Sequence, residues 1–153
     1  MCGGNGPATI TINVSRIGNS TNLSLRQDGS RPGQPGDPGT DLLTTDVVAG
    51  QPVVWQLDPS PDPGRNTEIT LEHVKSADPK VPKFVNSQQL LENAEYTAVN
   101  GIITAKVKAS PPPPGSGQNP GEKAFENYQI GFYLNSDPNK TEIWDDPRLR
   151  ANT

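Results

Sequence analysis

Apolar and polar residues alternate along several short segments of the chain. Ile10, Ile12 and Val14 share one parity, and the residues between them are threonine and asparagine. A period of two places apolar side chains on one face of a β-strand and polar side chains on the other. The pattern therefore predicts a half-buried strand over residues 9–15. Similar runs predict strands over 22–27, 42–48, 52–57, 68–75, 128–134 and 141–144, and a short edge strand over 148–150.

Two of these predicted strands carry residues of special interest. The bulkiest apolar set lies on the strand that contains Trp55, so we expect this side chain in the core. In 68–75 the residues Ile69, Leu71 and His73 share one parity. This pattern places the single histidine of the chain on a strand, in phase with its apolar neighbours.

The dipeptide Asn100-Gly101 is the sharpest local signal. A two-residue type I′ turn requires positive φ at both central positions, and this dipeptide supplies it most readily. Pairing outward from the turn places Glu95 opposite Lys106 and leaves one apolar face along both arms. We therefore predict a β-hairpin over residues 94–109 with this register.

Residues 86–96 form the one candidate helix. Asn86 is a suitable N-cap, and Leu90 and Ala94 lie four residues apart, on one helical face. Because the predicted hairpin begins within this segment, the helix must end before Asn93. We expect a turn or two of helix at most.

Prolines and glycines, 17 and 15 in number, cluster between the predicted strands. They predict long exposed loops over 30–41 and 110–122, which are either binding loops or tolerated surface insertions. The chain has no heptads, no βαβ alternation and no internal repeat. Residues 8–153 are therefore predicted to form one all-β domain, a single antiparallel β-sandwich of about seven to nine strands with at most one short helix.

Two stretches of sequence carry a resemblance to known folds. One runs from Tyr128-Gln-Ile-Gly-Phe-Tyr133 through Thr141-Glu-Ile-Trp-Asp-Asp-Pro-Arg-Leu149, and the other is Gly50-Gln-Pro-Val-Val-Trp55. They resemble the end and the middle of small immunoglobulin-like or cupredoxin-like sandwiches, in which a Tyr-x-Ile strand, a hairpin and a closing Asp-Pro-x-aliphatic edge recur. The resemblance covers about half of the chain and implies a fold rather than a function. A copper-carrying cupredoxin needs two histidines and a cysteine around its metal, so electron transfer is not implied for a chain with one histidine.

Charge and rare residues exclude several classes of function. The formal net charge is −4 and the 13 basic residues are scattered singly, so we expect no nucleic-acid partner. No apolar stretch approaches the length of a transmembrane helix, about 18 residues or more. One cysteine and one histidine exclude an internal disulfide, a multi-thiolate cluster and any site with two imidazoles. We expect no metal and no other cofactor.

The segment 1–7 is predicted to be flexible, because glycine and proline predominate after Cys2. A mature bacterial lipoprotein begins with a lipidated cysteine and a flexible spacer, so Cys2 is a candidate lipidation site and lipid anchor. On this interpretation the protein is bacterial and periplasmic, exposed on the cell surface or secreted. The alternative is a cytoplasmic or virion protein in which a cysteine happens to follow the initiator methionine.

Tyr133 and Trp144 are the candidate ligand-binding residues. By alternation Tyr133 lies on the face opposite Ile130 and Phe132, and Trp144 lies opposite Ile143. If the two rings meet across the last predicted hairpin, they form an exposed platform that stacks on a sugar or anchors a partner. Otherwise they cover a minor core or a sheet edge.

The default function is a non-catalytic module with a structural or protein-interaction role, present as a monomer. One alternative is a carbohydrate- or ligand-binding module that uses Tyr133 and Trp144. The other is a carboxylate-based hydrolase, which requires two acidic groups that converge in a cleft. His73 alone does not indicate catalysis, because the sequence places neither a nucleophile nor an orienting acid beside it.

Overall fold

The computed structural model describes residues 8–16, 23–27, 43–58, 68–78, 80–84, 86–110, 112–113 and 123–151. Within these residues the chain forms ten strands, one 3₁₀ turn (Pro82–Phe84) and no α-helix. The strands are β1 (Ile10–Arg16), β2 (Leu23–Gln27), β3 (Thr44–Val47), β4 (Pro52–Leu57), β5 (Ile69–Ser76), β6 (Glu95–Thr97), β7 (Ile103–Lys106), β8 (Phe125–Leu134), β9 (Ile143–Asp145) and β10 (Arg148–Ala151). The all-β class is confirmed, with more strands than the sequence predicts.

The strands form two sheets. One has four strands in the order β2-β1-β4-β7, and the other has six, in the order β3-β10-β8-β5-β6 with β9 also paired to β8. Strands β1 and β4 run parallel, and so do β3 and β10. Each sheet is therefore mixed, and the predicted purely antiparallel arrangement is wrong. Alternation of side chains determines which face of a strand is buried, but it carries no information on the direction of the neighbouring strand.

The position of the last strand, β10, also could not be predicted from alternation. The sequence predicts a sheet edge at this segment, but β10 lies between β3 and β8. Leu149 and Ala151 point into the core. On the opposite face, Nε of Arg150 lies 2.6 Å from Oδ1 of Asp46 on β3.

Apolar side chains from both sheets belong to one core cluster, and a contact between Trp55 of β4 and Tyr128 of β8 joins the sheets. The two rings meet edge to face, with centroids 5.3 Å apart and an interplanar angle of 61°. The Trp55 Nε1–H donates a hydrogen bond of 3.1 Å to the Tyr128 hydroxyl. Both residues have an exposed fraction of 0%. The prediction that Trp55 lies in the core is confirmed.

The turn at Asn100-Gly101 is present. The φ angle is 54° at Asn100 and 78° at Gly101, as a type I′ turn requires, and Val99 pairs with Ile102 across it. The rest of the predicted hairpin is wrong, because the two arms separate beyond this pair. Strand β6 joins the six-stranded sheet beside β5, whereas β7 joins the four-stranded sheet beside β4. The turn therefore connects the two sheets.

Residues 86–96 contain no α-helix, so the predicted helix is wrong. Asn86 has a φ of 68°, in the left-handed region, which does not start an α-helix. The Leu90 and Leu91 N–H groups donate hydrogen bonds of 2.7 and 3.1 Å to Oε1 of Glu126. Both leucines are buried although they are adjacent in sequence. A carboxylate from a distant strand satisfies backbone groups that would otherwise need a helix or a ladder.

Glu126 itself lies on the core side of β8, with an exposed fraction of 0%. Burial raises the pKa of its carboxyl, and the hydrogen bonds from Leu90 and Leu91 offset part of this effect. The segment that it holds also bonds both sheets, since Gln88 N–H donates to a carbonyl of β8 and Glu92 N–H to one of β7. Glu126 thus holds residues 88–92, which run from one sheet to the other.

Several predicted features lie outside the described residues. They are the flexible segment 1–7 with the candidate lipidation site Cys2, the loop 30–41, and most of the loop 110–122.

Candidate functional site

Three neighbouring strands of the six-stranded sheet carry the candidate site. In β8, Ile130 and Phe132 point into the core, so Gly131 between them lies on the outer face. The register places Gly131 opposite His73 of β5 on one side and opposite Trp144 of β9 on the other. This surface, named the Trp144 face here, consists of His73, Lys75, Gly131, Tyr133, Glu142 and Trp144.

Gly131 is the point at which neighbouring side chains lie closest to the sheet. A Cβ atom on Gly131 would lie 2.7 and 2.8 Å from Cζ3 and Cη2 of Trp144. It would also lie 2.6 Å from Oε2 of Glu142. These distances are shorter than ordinary contacts between heavy atoms, so only a hydrogen fits. Glycine therefore allows the indole and the carboxylate to lie directly against the backbone of β8.

The Trp144 indole contacts two side chains of β5. It is nearly parallel to the His73 imidazole, with an interplanar angle of 19° and ring centroids 6.3 Å apart. The Lys75 ammonium lies 4.3 Å from the centroid of the indole, in a cation–π contact. Together with Gly131, these contacts fix the orientation of a ring that is only half-buried.

A β-bulge places His73 on this face. The pairing of β5 with β8 shifts between Leu71 and His73. His73 therefore leaves the parity of Ile69 and Leu71, and Val74 enters the core instead. The prediction that His73 is in phase with its apolar neighbours is wrong for this reason. No glycine or proline marks the bulge in the sequence.

The His73 imidazole lies between two carboxylates. Nδ1 is 2.7 Å from Oε2 of Glu142, and Nε2 is 4.0 Å from Oε2 of Glu95. Because an ionised carboxylate only accepts hydrogen bonds, Nδ1 carries a proton and donates to Glu142. Among the described residues, the ring contacts two carboxylates and an indole, and no hydroxyl or thiol that it would activate as a nucleophile.

Tyr133 lies on the same outer face as Trp144, two residues after Gly131 in β8 and opposite Thr70 of β5. It is half-buried, and the Lys140 ammonium lies 5.7 Å from the centroid of its ring. The structure therefore places both aromatic residues predicted from the sequence on one face, with a lysine against each ring.

The turn between β8 and β9 positions Lys140 and Glu142. Asp137 accepts hydrogen bonds from the backbone N–H groups of Asn139, at 2.9 Å, and Thr141, at 3.1 Å. These bonds lower the pKa of the Asp137 carboxyl. Lys140 has a φ of 49°, in the left-handed region, so the backbone turns at this residue just before Glu142.

Three charged residues around His73 and Trp144 are not among the candidate site residues predicted from the sequence. Lys75, Glu95 and Glu142 belong to no motif, and they meet only because β5, β6, β8 and β9 are neighbours. One available signal is Gly131, since a glycine inside an apolar strand marks a place where another group approaches the backbone.

A separate groove of about 280 Å³ opens on the other part of the six-stranded sheet. Arg148 lines it and donates a hydrogen bond of 3.1 Å from Nε to Asn127 Oδ1. Among the described residues that line it, Asp146 alone carries a carboxylate. Hydrolysis by two acidic groups needs a second carboxyl within about 5–10 Å across the cleft, and the hydrolase alternative stays a prediction. It is lined by Leu43, Thr44, Phe84, Asn127, Asp146, Pro147 and Arg148.

No known family model matches this chain, and no curated protein matches it. Within the described ranges, no three side chains of His, Cys, Asp or Glu are grouped so that they would hold a metal ion. The same part of the chain contains no helix with the length and apolar character needed to cross a membrane. The functional interpretation therefore depends on the chemistry of the Trp144 face.

Proposed function

We propose that this chain is a non-catalytic carbohydrate-binding module, a two-layered β-sandwich of immunoglobulin-like or cupredoxin-like type that binds through the Trp144 face. The contact of Trp55 with Tyr128 supports two packed layers, because it joins the four-stranded and the six-stranded sheet. Such a fold carries no function by itself. The function depends on the surface chemistry of one sheet.

One observation carries this proposal: the indole of Trp144 lies against Gly131 on the outer face and remains partly exposed, with Tyr133 on the same face. Aromatic rings on a rigid sheet offer an apolar surface on which the C–H face of a sugar ring stacks. A ring that is already fixed loses little conformational freedom when the ligand binds.

The polar groups beside the ring fit the same role. Sites for small polar ligands combine apolar or aromatic surface with a few fixed hydrogen-bonding groups. Glu142, held by His73 at 2.7 Å, offers an acceptor, and Lys75 offers a donor. A histidine–carboxylate pair also occurs in catalytic triads, but Nε2 of His73 faces Glu95 where a triad has its nucleophile. This arrangement favours binding over catalysis.

A structural or protein-interaction role is the alternative function. The tip of the Asn100-Gly101 turn, a different surface, favours this protein-interaction role. There Val99 and Ile102 have exposed fractions of 70% and 43%. Exposed aliphatic side chains on a fixed turn suit an apolar pocket of a partner protein. Because the tip is distinct from the Trp144 face, the variant V99T/I102T retains glycan binding if our proposal is correct.

A glycan array that contains neutral and acidic glycans tests the proposal. Wild type is compared with W144A/Y133A and with F125A, a matched control that removes another aromatic ring of β8, one contacted by Arg148 at 4.1 Å. We expect the wild type to bind a set of glycans, the double variant to lose them, and F125A to keep them. Thermal unfolding checks that each variant is folded. An array empty for the wild type, or binding that survives W144A/Y133A, contradicts the proposal.

We further propose that the module acts outside the cytoplasm, where polysaccharides are accessible, and that Cys2 carries the lipid. The residues after Cys2, Gly-Gly-Asn-Gly-Pro, suit a spacer between an anchor and the domain. Mass spectrometry of the protein expressed from its native gene in a bacterial host tests this, with C2A as the control. A diacylated Cys2 is expected, and a free thiol at Cys2 contradicts the proposal.

A further inference from the structure

Each aromatic ring of the Trp144 face has a lysine ammonium against it. Lys75 comes from β5 and lies 4.3 Å from the Trp144 ring centroid. Lys140 comes from the turn between β8 and β9 and lies 5.7 Å from the Tyr133 ring centroid. Two cations from different elements thus lie on the two residues that our proposed function assigns to sugar binding.

We infer that the ligand of the Trp144 face is an anionic glycan, with sugar rings that stack on Trp144 and Tyr133 and acidic groups that pair with Lys75 and Lys140. This inference rests on the proposed function and adds the chemical class of the ligand. Carboxylate and sulfate are the two acidic groups that polysaccharides commonly carry, and both accept charge-assisted hydrogen bonds from ammonium groups.

The state of the charged groups supports this inference. Among the described residues, neither Lys75 nor Lys140 forms an ion pair with a carboxylate. The two nearest carboxylates lie beside His73, because Glu142 accepts a hydrogen bond from its Nδ1, and Glu95, the cross-strand partner of Lys75, lies 4.0 Å from its Nε2. The two lysine charges are therefore available to a ligand, while Glu142 is already held by its hydrogen bond with His73.

An incoming acidic group competes successfully with the rings for the lysines. A cation–π contact at an exposed site is weaker than a hydrogen bond between an ammonium and an anion. When the ligand acid takes the ammonium of Lys75, the indole surface beneath becomes free for the sugar ring. Gly131 and Tyr133 are two residues apart in β8, or about 7 Å along the strand, so one chain of linked sugars reaches both rings.

The experiment compares polygalacturonate with fully methyl-esterified polygalacturonate, which has the same sugar backbone without the charge, and includes heparin as a sulfated probe. Affinities are measured by isothermal titration calorimetry for wild type, K75Q/K140Q, W144A/Y133A and the control R148Q. Arg148 also lies over an aromatic ring, that of Phe125, but outside the Trp144 face. Poly-glutamate serves as an acidic polymer without sugar rings.

We expect the wild type to bind at least one acidic glycan more tightly than the neutral ester, by about tenfold or more. K75Q/K140Q should lose this preference, W144A/Y133A should lose binding to both probes, and R148Q should behave as wild type. Equal affinity for acid and ester overturns the inference, and so does equal binding of poly-glutamate. If the ester alone binds in a manner that depends on Trp144, the proposed function stands and the inference fails. If no glycan binds, both fail.

Discussion

The Glu126 carboxylate accepts a hydrogen bond of 2.7 Å from the backbone N–H of Leu90, which lies 36 residues earlier in the chain. A second bond from Leu91 uses the same oxygen. These two bonds help to hold residues 86–94, which form no helix and no long ladder, against the core.

Replacement of Glu126 by alanine leaves the N–H groups of Leu90 and Leu91 buried without an acceptor. We expect a loss of about 2–6 kcal/mol in the free energy of unfolding, because each of the two groups costs about 1–3 kcal/mol. E126Q keeps an acceptor oxygen and should be more stable than E126A. Urea denaturation measures both, and equal stability of the two variants contradicts the role assigned to this carboxylate.

The raised pKa of Glu126 predicts a pH dependence with a definite sign. At pH values above 4.5, the ordinary pKa of this carboxyl, the unfolded chain releases the proton while the folded chain still retains it. Stability therefore falls as pH rises through this interval, and this contribution is absent from E126Q. The stability of E126Q relative to wild type should increase from pH 4 to neutral pH. A difference that stays constant or decreases with pH contradicts the prediction.

The pairing of Trp55 with Tyr128 predicts a second stability effect. Y128F leaves the Trp55 Nε1–H without its acceptor and should cost about 1–3 kcal/mol. Burial also raises the pKa of the Tyr128 phenol above its ordinary value of 10.0. The folded chain therefore keeps this proton when the unfolded chain loses it, and stability falls as pH rises above that value. The tyrosinate absorbance of Tyr128 should appear together with unfolding, and a separate earlier step for Tyr128 contradicts this.

Gly131 is predicted to be essential for the position of Trp144. G131A places a methyl group where the indole and Glu142 now lie, so we expect a loss of about 1–3 kcal/mol and a shifted Trp144 fluorescence. G131A/W144A should recover part of this loss, because the clash with the ring is removed. The control is G50A, at a positive φ of 74° but in open space, which should destabilise without affecting Trp144. A G131A variant with wild-type stability and fluorescence contradicts the close contact.

The turn that joins the sheets predicts a contrast between neighbouring residues. N100A and G101A force alanine into the left-handed region, which costs about 1–2 kcal/mol each. V99T, at a side chain that is 70% exposed, should change stability by no more than about 0.5 kcal/mol. Thermal unfolding of the three variants measures the contrast, and a V99T effect as large as that of G101A would be inconsistent with the observed turn.

The positions of the strands can be predicted from the sequence, but which strands pair with one another cannot. Alternation identifies the buried faces of β1 and β4, because each residue reports its own environment. The Asn100-Gly101 turn is also predictable, since positive φ is a local requirement. The partners of β6 and β7 depend instead on which distant strands complete each sheet, and no local pattern encodes that.

In the candidate site, too, some residues can be predicted from the sequence and others cannot. Tyr133 and Trp144 are predictable as outward-facing, because each lies next to core residues of opposite parity. His73 is not, because an unmarked bulge in β5 reverses its face. Glu142 approaches Gly131 only after the turn at Asp137 has folded, so their contact cannot be inferred from spacing along the chain.

The most direct test uses the two tryptophans of the chain as internal reporters. Trp55 is buried in the core, and Trp144 lies on the outer face against Gly131. In a ¹⁵N NMR titration with an acidic glycan such as polygalacturonate or heparin, whichever the calorimetry shows to bind, we predict a progressive shift of the Trp144 indole N–H while the Trp55 indole N–H stays in place. The spectrum of W144F assigns the two signals. An unchanged Trp144 signal at saturating glycan, or equal shifts of both indoles, would contradict the account.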